Sequence, residues 1–138
     1  MTLFAVFALV DMDQSYKTVT RQIVNRRLSK LYEGLGIDLA PDTLRASYYA
    51  EIDLMRWARH RYAPGFSEWL ADAYEPIDPV VRLAEQAGIV LLHGGGFDGP
   101  AWSVRVSLAN LDDDCYVEVG ASITGIFDQY VAEWSEQR

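Results

Sequence analysis

The amino-acid sequence predicts an α+β fold: a two-layer small domain with a short, mainly antiparallel sheet covered by helices and a long N-terminal helix. Apolar residues recur at helical spacing over Gln14–Leu35 and again after Asp112. Two short runs, Ala46–Leu54 and Ser103–Leu108, alternate apolar with polar side chains as half-buried strands do. The predicted order of elements is therefore helix, strand, helices, strand, strand, helix.

The length and charge of the chain limit its class. Its 138 residues, 50% of them hydrophobic, suffice for one compact domain with its own core. The excess of 20 acidic over 12 basic residues argues against a nucleic-acid backbone or an anionic membrane as the main partner. The single cysteine, Cys115, cannot form an internal disulfide, and no basic leader precedes the first apolar run, so we expect a cytoplasmic protein.

The chain opens with an apolar run, Met1–Val10, that is about half as long as a membrane-spanning helix. We therefore do not expect this run to cross a membrane. Two interpretations stay open. The run is either a strand or helix buried in the domain's own core, or a surface that something outside this chain covers.

A long helix is predicted over about Gln14–Leu35, with Asp11 or Asp13 as its cap and Gly34 or Gly36 at its end. Its apolar stripe comprises Tyr16, Val19, Ile23, Val24, Leu28, Leu31 and Leu35. Its basic face, which we interpret as solvated, comprises Arg21, Arg26, Arg27 and Lys30.

Four more helices follow in the predicted order. Three lie between the strands, over Met55–Arg61, Phe66–Tyr74 and Asp78–Ala87, and Gly88 ends the third. In the second we expect Phe66, Trp69, Leu70 and Ala73 to face inward. The closing helix starts among acidic residues and carries the apolar series Val117, Val119, Ala121, Ile123, Phe127, Val131 and Trp134.

The stretch from Gly88 to Asn110 is the most informative part of the sequence. Ile89–Leu92 is an apolar run typical of a strand, and a glycine-rich loop closed by Asp98-Gly99-Pro100 connects it to Ser103–Leu108. In that second strand Arg105 lies on the face opposite to the apolar residues. An arginine held on a rigid strand can bind a planar carboxylate through two parallel hydrogen bonds. The alternative is an ordinary surface arginine that faces solvent.

Other residue patterns point less clearly to chemistry. Glu51 and Asp53 share one face of the first predicted strand, where they could act as acid and base or hold a metal, or simply face water. The histidines, His60 and His93, do not form a metal-binding pair. Cys115 follows three acidic residues, which favours an inert cysteine over a nucleophile.

The glycines Gly94, Gly95 and Gly96 resemble a phosphate-binding cradle. Such a cradle needs a lysine and a following helix whose N–H groups meet the anion. Here Pro100 and a strand follow instead, so we reject a phosphate site.

The sequence resembles the bifunctional aspartate aminotransferase and aspartate 4-decarboxylase family, a group of fold-type I pyridoxal-phosphate enzymes. Three strings carry the resemblance: GGGFDGPAWSVRVSLAN at 94–110, LYEGLG at 31–36 and YYAEIDL at 48–54. The resemblance covers nearly the whole chain. It implies an interdomain-type helix over residues 1–36 and a small C-terminal domain over 37–138, forming one compact unit. It also implies that Arg105 binds the α-carboxylate of the substrate.

A complete enzyme of this kind contains a large domain that supplies the Schiff-base lysine, the aspartate that pairs with the pyridine nitrogen and the phosphate-binding loop. The lysines of this chain, Lys17 and Lys30, both fall on the first predicted helix and match no lysine motif of the family. The resemblance thus implies pyridoxal phosphate, and L-aspartate or a similar amino acid or 2-oxo acid, for the full-length enzyme. We expect this chain alone to bind no cofactor, to be inactive, and to contain no catalytic or metal-binding residue.

Absence of the large domain would uncover the apolar segment Thr2–Val10, so we expect the chain to self-associate as a homo-oligomer. A function of another class also stays open. The chain could be a non-catalytic α+β module that binds a small molecule or a protein through its apolar N-terminal surface.

Overall fold

The structure, a computed structural model, describes residues 15–38 and 48–137. The elements are α1 (Ser15–Gly34), β1 (Tyr49–Asp53), α2 (Leu54–Arg61), α3 (Phe66–Ala73), α4 (Asp78–Ala87), β2 (Leu92–His93), a 3-10 turn (Gly94–Phe97), β3 (Ser103–Ser107) and α5 (Cys115–Glu136). The predicted α+β class and the order of elements are confirmed. The apolar run Met1–Val10 and the predicted caps Asp11 and Asp13 lie outside the described residues.

The sheet has three antiparallel strands in the order β1-β3-β2, so β3 is central. Ala50 and Ile52 of β1 are buried, as are Val104 and Val106 of β3, because the apolar faces of both strands pack against the helices. The predicted alternation is confirmed for β1, whereas in β3 Ser103 is buried although it lies on the face opposite to Val104 and Val106.

The strand predicted over Ile89–Leu92 is wrong in extent, since only Leu92 and His93 pair with β3. Gly88 ends α4 in the left-handed conformation at φ 66°, and the N–H of Ile89 donates to the carbonyl of Leu83 at 3.2 Å. The chain is thus still closing the helix where the apolar run begins. For this reason pairing with β3 begins only at Leu92.

Helices α1 and α5 run side by side in the same direction and form the main helical contact of the domain. Arg27 near the middle of α1 meets Asp113 just before α5, and Gly34 at the end of α1 meets Gly120 farther along α5. The hydroxyl of Thr124 lies 3.2 Å from the carbonyl oxygen of Gly34 and 3.1 Å from that of Gly120, so it shares its single proton between the two helices. The two glycines bring the helix backbones into direct contact.

The apolar stripe predicted for α1 is only half correct. Its C-terminal part is buried and comprises Val24, Leu28, Leu31 and Leu35. Tyr16 and Val19, by contrast, are 73% and 51% exposed. Since α5 begins at the level of Arg26 and Arg27, it leaves the first turns of α1 without this partner helix.

The basic face of α1 is not simply solvated, which corrects the sequence interpretation. Arg26 and Arg27 both pair with Asp113, and Lys30 pairs with Asp114. Arg27 also donates to the carbonyl of Leu108 at 2.9 Å, which links α1 to the end of β3. The sequence did not show that the acidic start of α5 would lie beside this face.

An aromatic core joins α2, α3 and α5. Its ring contacts, at centroid distances of 5.0 to 6.5 Å, include Trp57, Tyr62, Phe66 and Phe127. The indole N–H of Trp57 donates to the carbonyl of Leu35 at 3.1 Å and ties this core to the end of α1. Ala73, which was predicted to face inward, and Ala121, from the apolar series predicted for the closing helix, are exposed. In the part of the chain described, no helix is long and apolar enough to cross a membrane.

Candidate carboxylate-binding site

Arg105 occupies the middle of the central strand. Its neighbours across the sheet are Glu51 on β1 and Leu92 on β2, so the three side chains share the face that points away from the apolar core. Arg105 is partly buried, whereas Leu92 is 48% exposed. A strand hydrogen-bonded on both sides gives this guanidinium a rigid support.

Two aromatic rings hold the Arg105 guanidinium. Its central carbon lies 4.4 Å from the ring centroid of Phe97 and 5.0 Å from that of Tyr49. Both distances fall within the range of cation–π interactions, in which the negative ring face attracts the cation. Tyr49 comes from β1 and Phe97 from the turn before β3, so two separate elements position the side chain.

The carboxylate nearest in register does not neutralise Arg105. Although Glu51 lies directly across from Arg105, no ion pair joins the two, and no other ion pair of Arg105 occurs among residues 15–38 and 48–137. Glu51 Oε1 instead lies 3.1 Å from the Ser103 hydroxyl, which shares its single proton between this carboxylate and the Pro100 carbonyl oxygen. The hydrogen-bonding groups of the guanidinium are therefore available to a ligand.

The glycine loop forms a compact turn. Gly94 is buried, and a side chain there would come within 3.0 Å of Ser103 Cβ. The buried Ser103 hydroxyl donates to the Pro100 carbonyl at 2.8 Å. His93 Nε2 lies 2.7 Å from the Ala101 carbonyl oxygen, so this histidine connects the two ends of the loop.

The two carboxylates considered on β1 have different hydrogen-bond partners. Asp53 caps α2, since its side chain accepts a hydrogen bond from the N–H of Arg56 at 2.9 Å. Glu51 is engaged with Ser103. The two carboxylates thus have separate local partners.

The remaining candidates lie on helices. His60 is exposed in the last turn of α2, and Cys115 is partly buried at the start of α5. In residues 15–38 and 48–137, no three His, Cys, Asp or Glu side chains are grouped as metal ligands would be.

Sequence reasoning missed Tyr49 and Phe97. The alternation of β1 placed Tyr49 on the polar face, but its contact with Arg105 depends on the register between β1 and β3. Phe97 lies in a loop, where neither the helical nor the strand period predicts a direction. Only the fold brings both rings to the guanidinium.

Comparison with known proteins supports the resemblance. No protein-family model matches the chain. Over 134 residues the chain is 34% identical to a Pseudomonas sp. protein named bifunctional aspartate aminotransferase and L-aspartate beta-decarboxylase. This confirms the predicted resemblance. The match covers 97% of the chain but 25% of the relative, so the chain spans about a quarter of that protein's length. This extent is consistent with one small C-terminal domain of a larger enzyme.

The described residues do not by themselves fit pyridoxal phosphate. The chain's lysines, Lys17 and Lys30, both lie on α1 rather than on the sheet face that carries Arg105. Lys30 is paired with Asp114 at the start of α5. This chain therefore offers the cofactor no Schiff-base lysine next to Arg105.

Proposed function

We propose that the chain is the small C-terminal domain of a pyridoxal-phosphate-dependent aspartate aminotransferase and aspartate 4-decarboxylase, in which Arg105 binds the substrate's α-carboxylate. One observation carries this proposal. The Arg105 guanidinium, on the central strand, contacts two aromatic rings and has no carboxylate partner among the residues that the structure describes. The similarity to the Pseudomonas enzyme supports the same assignment.

The geometry suits a planar anion. Phe97 and Tyr49 lie near the guanidinium. The N–H groups of a guanidinium lie in its plane, so an acceptor approaches along its edge. A carboxylate in the guanidinium plane accepts two parallel, charge-assisted hydrogen bonds, which a lysine ammonium cannot reproduce. Partial burial strengthens these bonds because fewer water molecules compete for the donors.

The proposed enzyme needs more protein than this chain provides. In the complete enzyme the cofactor acts as an electron sink, and its lysine and phosphate-binding loop come from a large domain. The Arg105 face would turn toward that domain, in agreement with the 52%, 51% and 48% exposure of Tyr49, Phe97 and Leu92. In this arrangement residues 1–36 are the interdomain-type helix and residues 37–138 the small domain. The chain alone would have no turnover.

The test uses the full-length enzyme that contains this chain. We expect Arg105→Lys to lower kcat/KM for L-aspartate by about 10- to 150-fold, which corresponds to about 1.5–3 kcal/mol of transition-state binding. Arg59→Lys, a matched change at an exposed position on α2, should leave the kinetics unchanged. Wild-type kinetics in the Arg105→Lys enzyme would mean that Arg105 is an ordinary surface arginine.

A non-catalytic binding module is the second candidate function. It is favoured by large apolar side chains that are exposed near the β2 edge, with Val90 80% and Leu92 48% exposed. The gene sequence upstream of Met1 distinguishes the two candidates. An in-frame large domain with a cofactor lysine supports the enzyme, whereas a true start site at Met1 supports the module.

A further inference from the structure

The buried side chain of Ser103 holds the turn that carries Phe97 against the sheet. The buried Ser103 hydroxyl lies 2.8 Å from the Pro100 carbonyl oxygen and 3.1 Å from Glu51 Oε1. It therefore connects the end of the loop to the neighbouring strand. Because the Ser103 side chain is 0% exposed and contacts two acceptors, it is held in one position, unlike a surface hydroxyl.

The glycines of the loop allow this anchoring. A side chain at Gly99 would come within 3.1 Å of both the Gly94 carbonyl oxygen and Ser103 Oγ, and closer still to Glu51 Oε1. The N–H of Gly99 donates to the Gly94 carbonyl at 3.2 Å and closes the turn. Asp98 adopts the left-handed conformation at φ 57° to complete this closure. Gly96, by contrast, has open space around it.

We propose that the loop 94–100 is a positioning element, which holds Phe97 on the guanidinium of Arg105 and so fixes the plane in which that arginine binds a carboxylate. This inference rests on the proposed function of Arg105. A free arginine side chain samples many rotamers, and a bidentate contact requires one orientation of the guanidinium plane. Phe97 and Tyr49 favour one orientation before the ligand arrives, which lowers the entropic cost of binding.

The glycine-rich string thereby acquires a role other than phosphate binding. Its glycines permit close packing against Ser103 and Glu51, and its single aromatic residue is presented to the site. The Glu51 carboxylate contacts the Ser103 hydroxyl and not Arg105, so it helps to hold the loop in place. Glu51, Ser103 and Phe97 are thus positioning residues.

The first test measures the kinetics of the full-length enzyme with Phe97 substituted. We expect Phe97→Leu to raise the KM for L-aspartate and the inhibition constant of succinate by roughly 3- to 30-fold, the range that a cation–π contact provides. Phe97→Tyr keeps an aromatic face and should restore values close to wild type. Equal losses in both variants, or no loss in either, would overturn the proposal.

A double-mutant cycle separates positioning from general stability. If Phe97 acts through the planar guanidinium, Phe97→Leu should have little further effect on succinate inhibition in an Arg105→Lys enzyme. An undiminished effect there would overturn the proposal. If Arg105→Lys alone changes nothing, the proposed function fails. If Arg105→Lys weakens binding while Phe97→Leu does not, only the positioning role fails.

A pair of loop variants tests the anchor without touching the aromatic ring. Gly99→Ala places a methyl group against the anchor and should raise the KM for L-aspartate several-fold, whereas Gly96→Ala enters open space and should not. Thermal unfolding of both enzymes shows whether each variant is folded. Identical kinetics for the two folded variants would contradict the anchoring argument.

Discussion

Replacing Gly120 by alanine should push helices α1 and α5 apart. An added Cβ at Gly120 would lie 2.9 Å from both the Cα and the carbonyl carbon of Gly34, and closer still to the carbonyl oxygen of Leu31. These are backbone atoms of the facing helix, so no side chain can rotate away. Ordinary contacts of this type need about 3.5–4 Å, and the helices must therefore move by roughly 1 Å.

The magnitude follows from the packing of this contact. Over-packing in a well-packed interior costs about 1–3 kcal/mol, and the upper part of this range applies because the added Cβ meets backbone atoms, which cannot rotate away. Separation would also lengthen the 3.2 Å hydrogen bond from Thr124 to the Gly34 carbonyl. Alanine recovers about 1 kcal/mol through its higher helix propensity.

Gly125→Ala is the matched control. Gly125 lies in the same helix, is exposed, and has open space where a Cβ would be added. The gain in helix propensity is similar in both variants, so the difference between their free energies of unfolding isolates the steric cost. We expect Gly125→Ala to be about 0.5–1 kcal/mol more stable than wild type and Gly120→Ala about 2–3 kcal/mol less stable than Gly125→Ala.

Urea unfolding followed by circular dichroism and tryptophan fluorescence measures both free energies, provided that the transitions are two-state. Equal stability of the two alanine variants would refute the reasoning. It would show that α1 and α5 tolerate a methyl group at the crossing, and hence that the close backbone approach contributes little to the fold.

Three further predictions concern acid stability, helix capping and activity. Hydrogen bonds from Arg27 and Arg26 lower the pKa of the Asp113 carboxyl. These bonds stabilise the fold above the unfolded pKa of about 4, and their contribution is lost as the pH falls through the lower folded pKa. Asp113→Asn should therefore make the unfolding temperature fall less steeply with decreasing pH below about 4. An unchanged pH dependence would contradict this. Asp53→Ala removes the cap on the Arg56 N–H and should lower the free energy of unfolding in urea by about 1 kcal/mol. Asp53→Asn keeps a capping oxygen and should retain most of the wild-type stability. The chain mixed with pyridoxal phosphate and L-aspartate should form neither oxaloacetate nor alanine above the rate of free cofactor; faster turnover would refute the need for a large domain.

The hydrophobic pattern of the sequence was sufficient to predict the helices and the two alternating strands. The α2, α3 and α4 bounds agree closely with the predictions, because proline, glycine and helix-capping residues mark element ends locally. The side of the sheet that carries Arg105 also followed from the two-residue period of a strand. These features depend only on neighbours along the chain.

Contacts between distant segments could not be read from the same pattern. The exposure of Tyr16 and Val19 depends on where α5 begins, and the pairing of Arg27 depends on the position of Asp113, 86 residues away. A basic helix face has the same sequence pattern whether it meets solvent or carboxylates.

The candidate site divides in the same way. Residue type, strand alternation and family resemblance together single out Arg105 from the amino-acid sequence alone. Its aromatic neighbours, Tyr49 and Phe97, and the engagement of Glu51 with Ser103 were decided by the tertiary structure. Strand register and loop closure place these side chains together, and both are set by packing between segments about 50 residues apart, on which local periodicity gives no information.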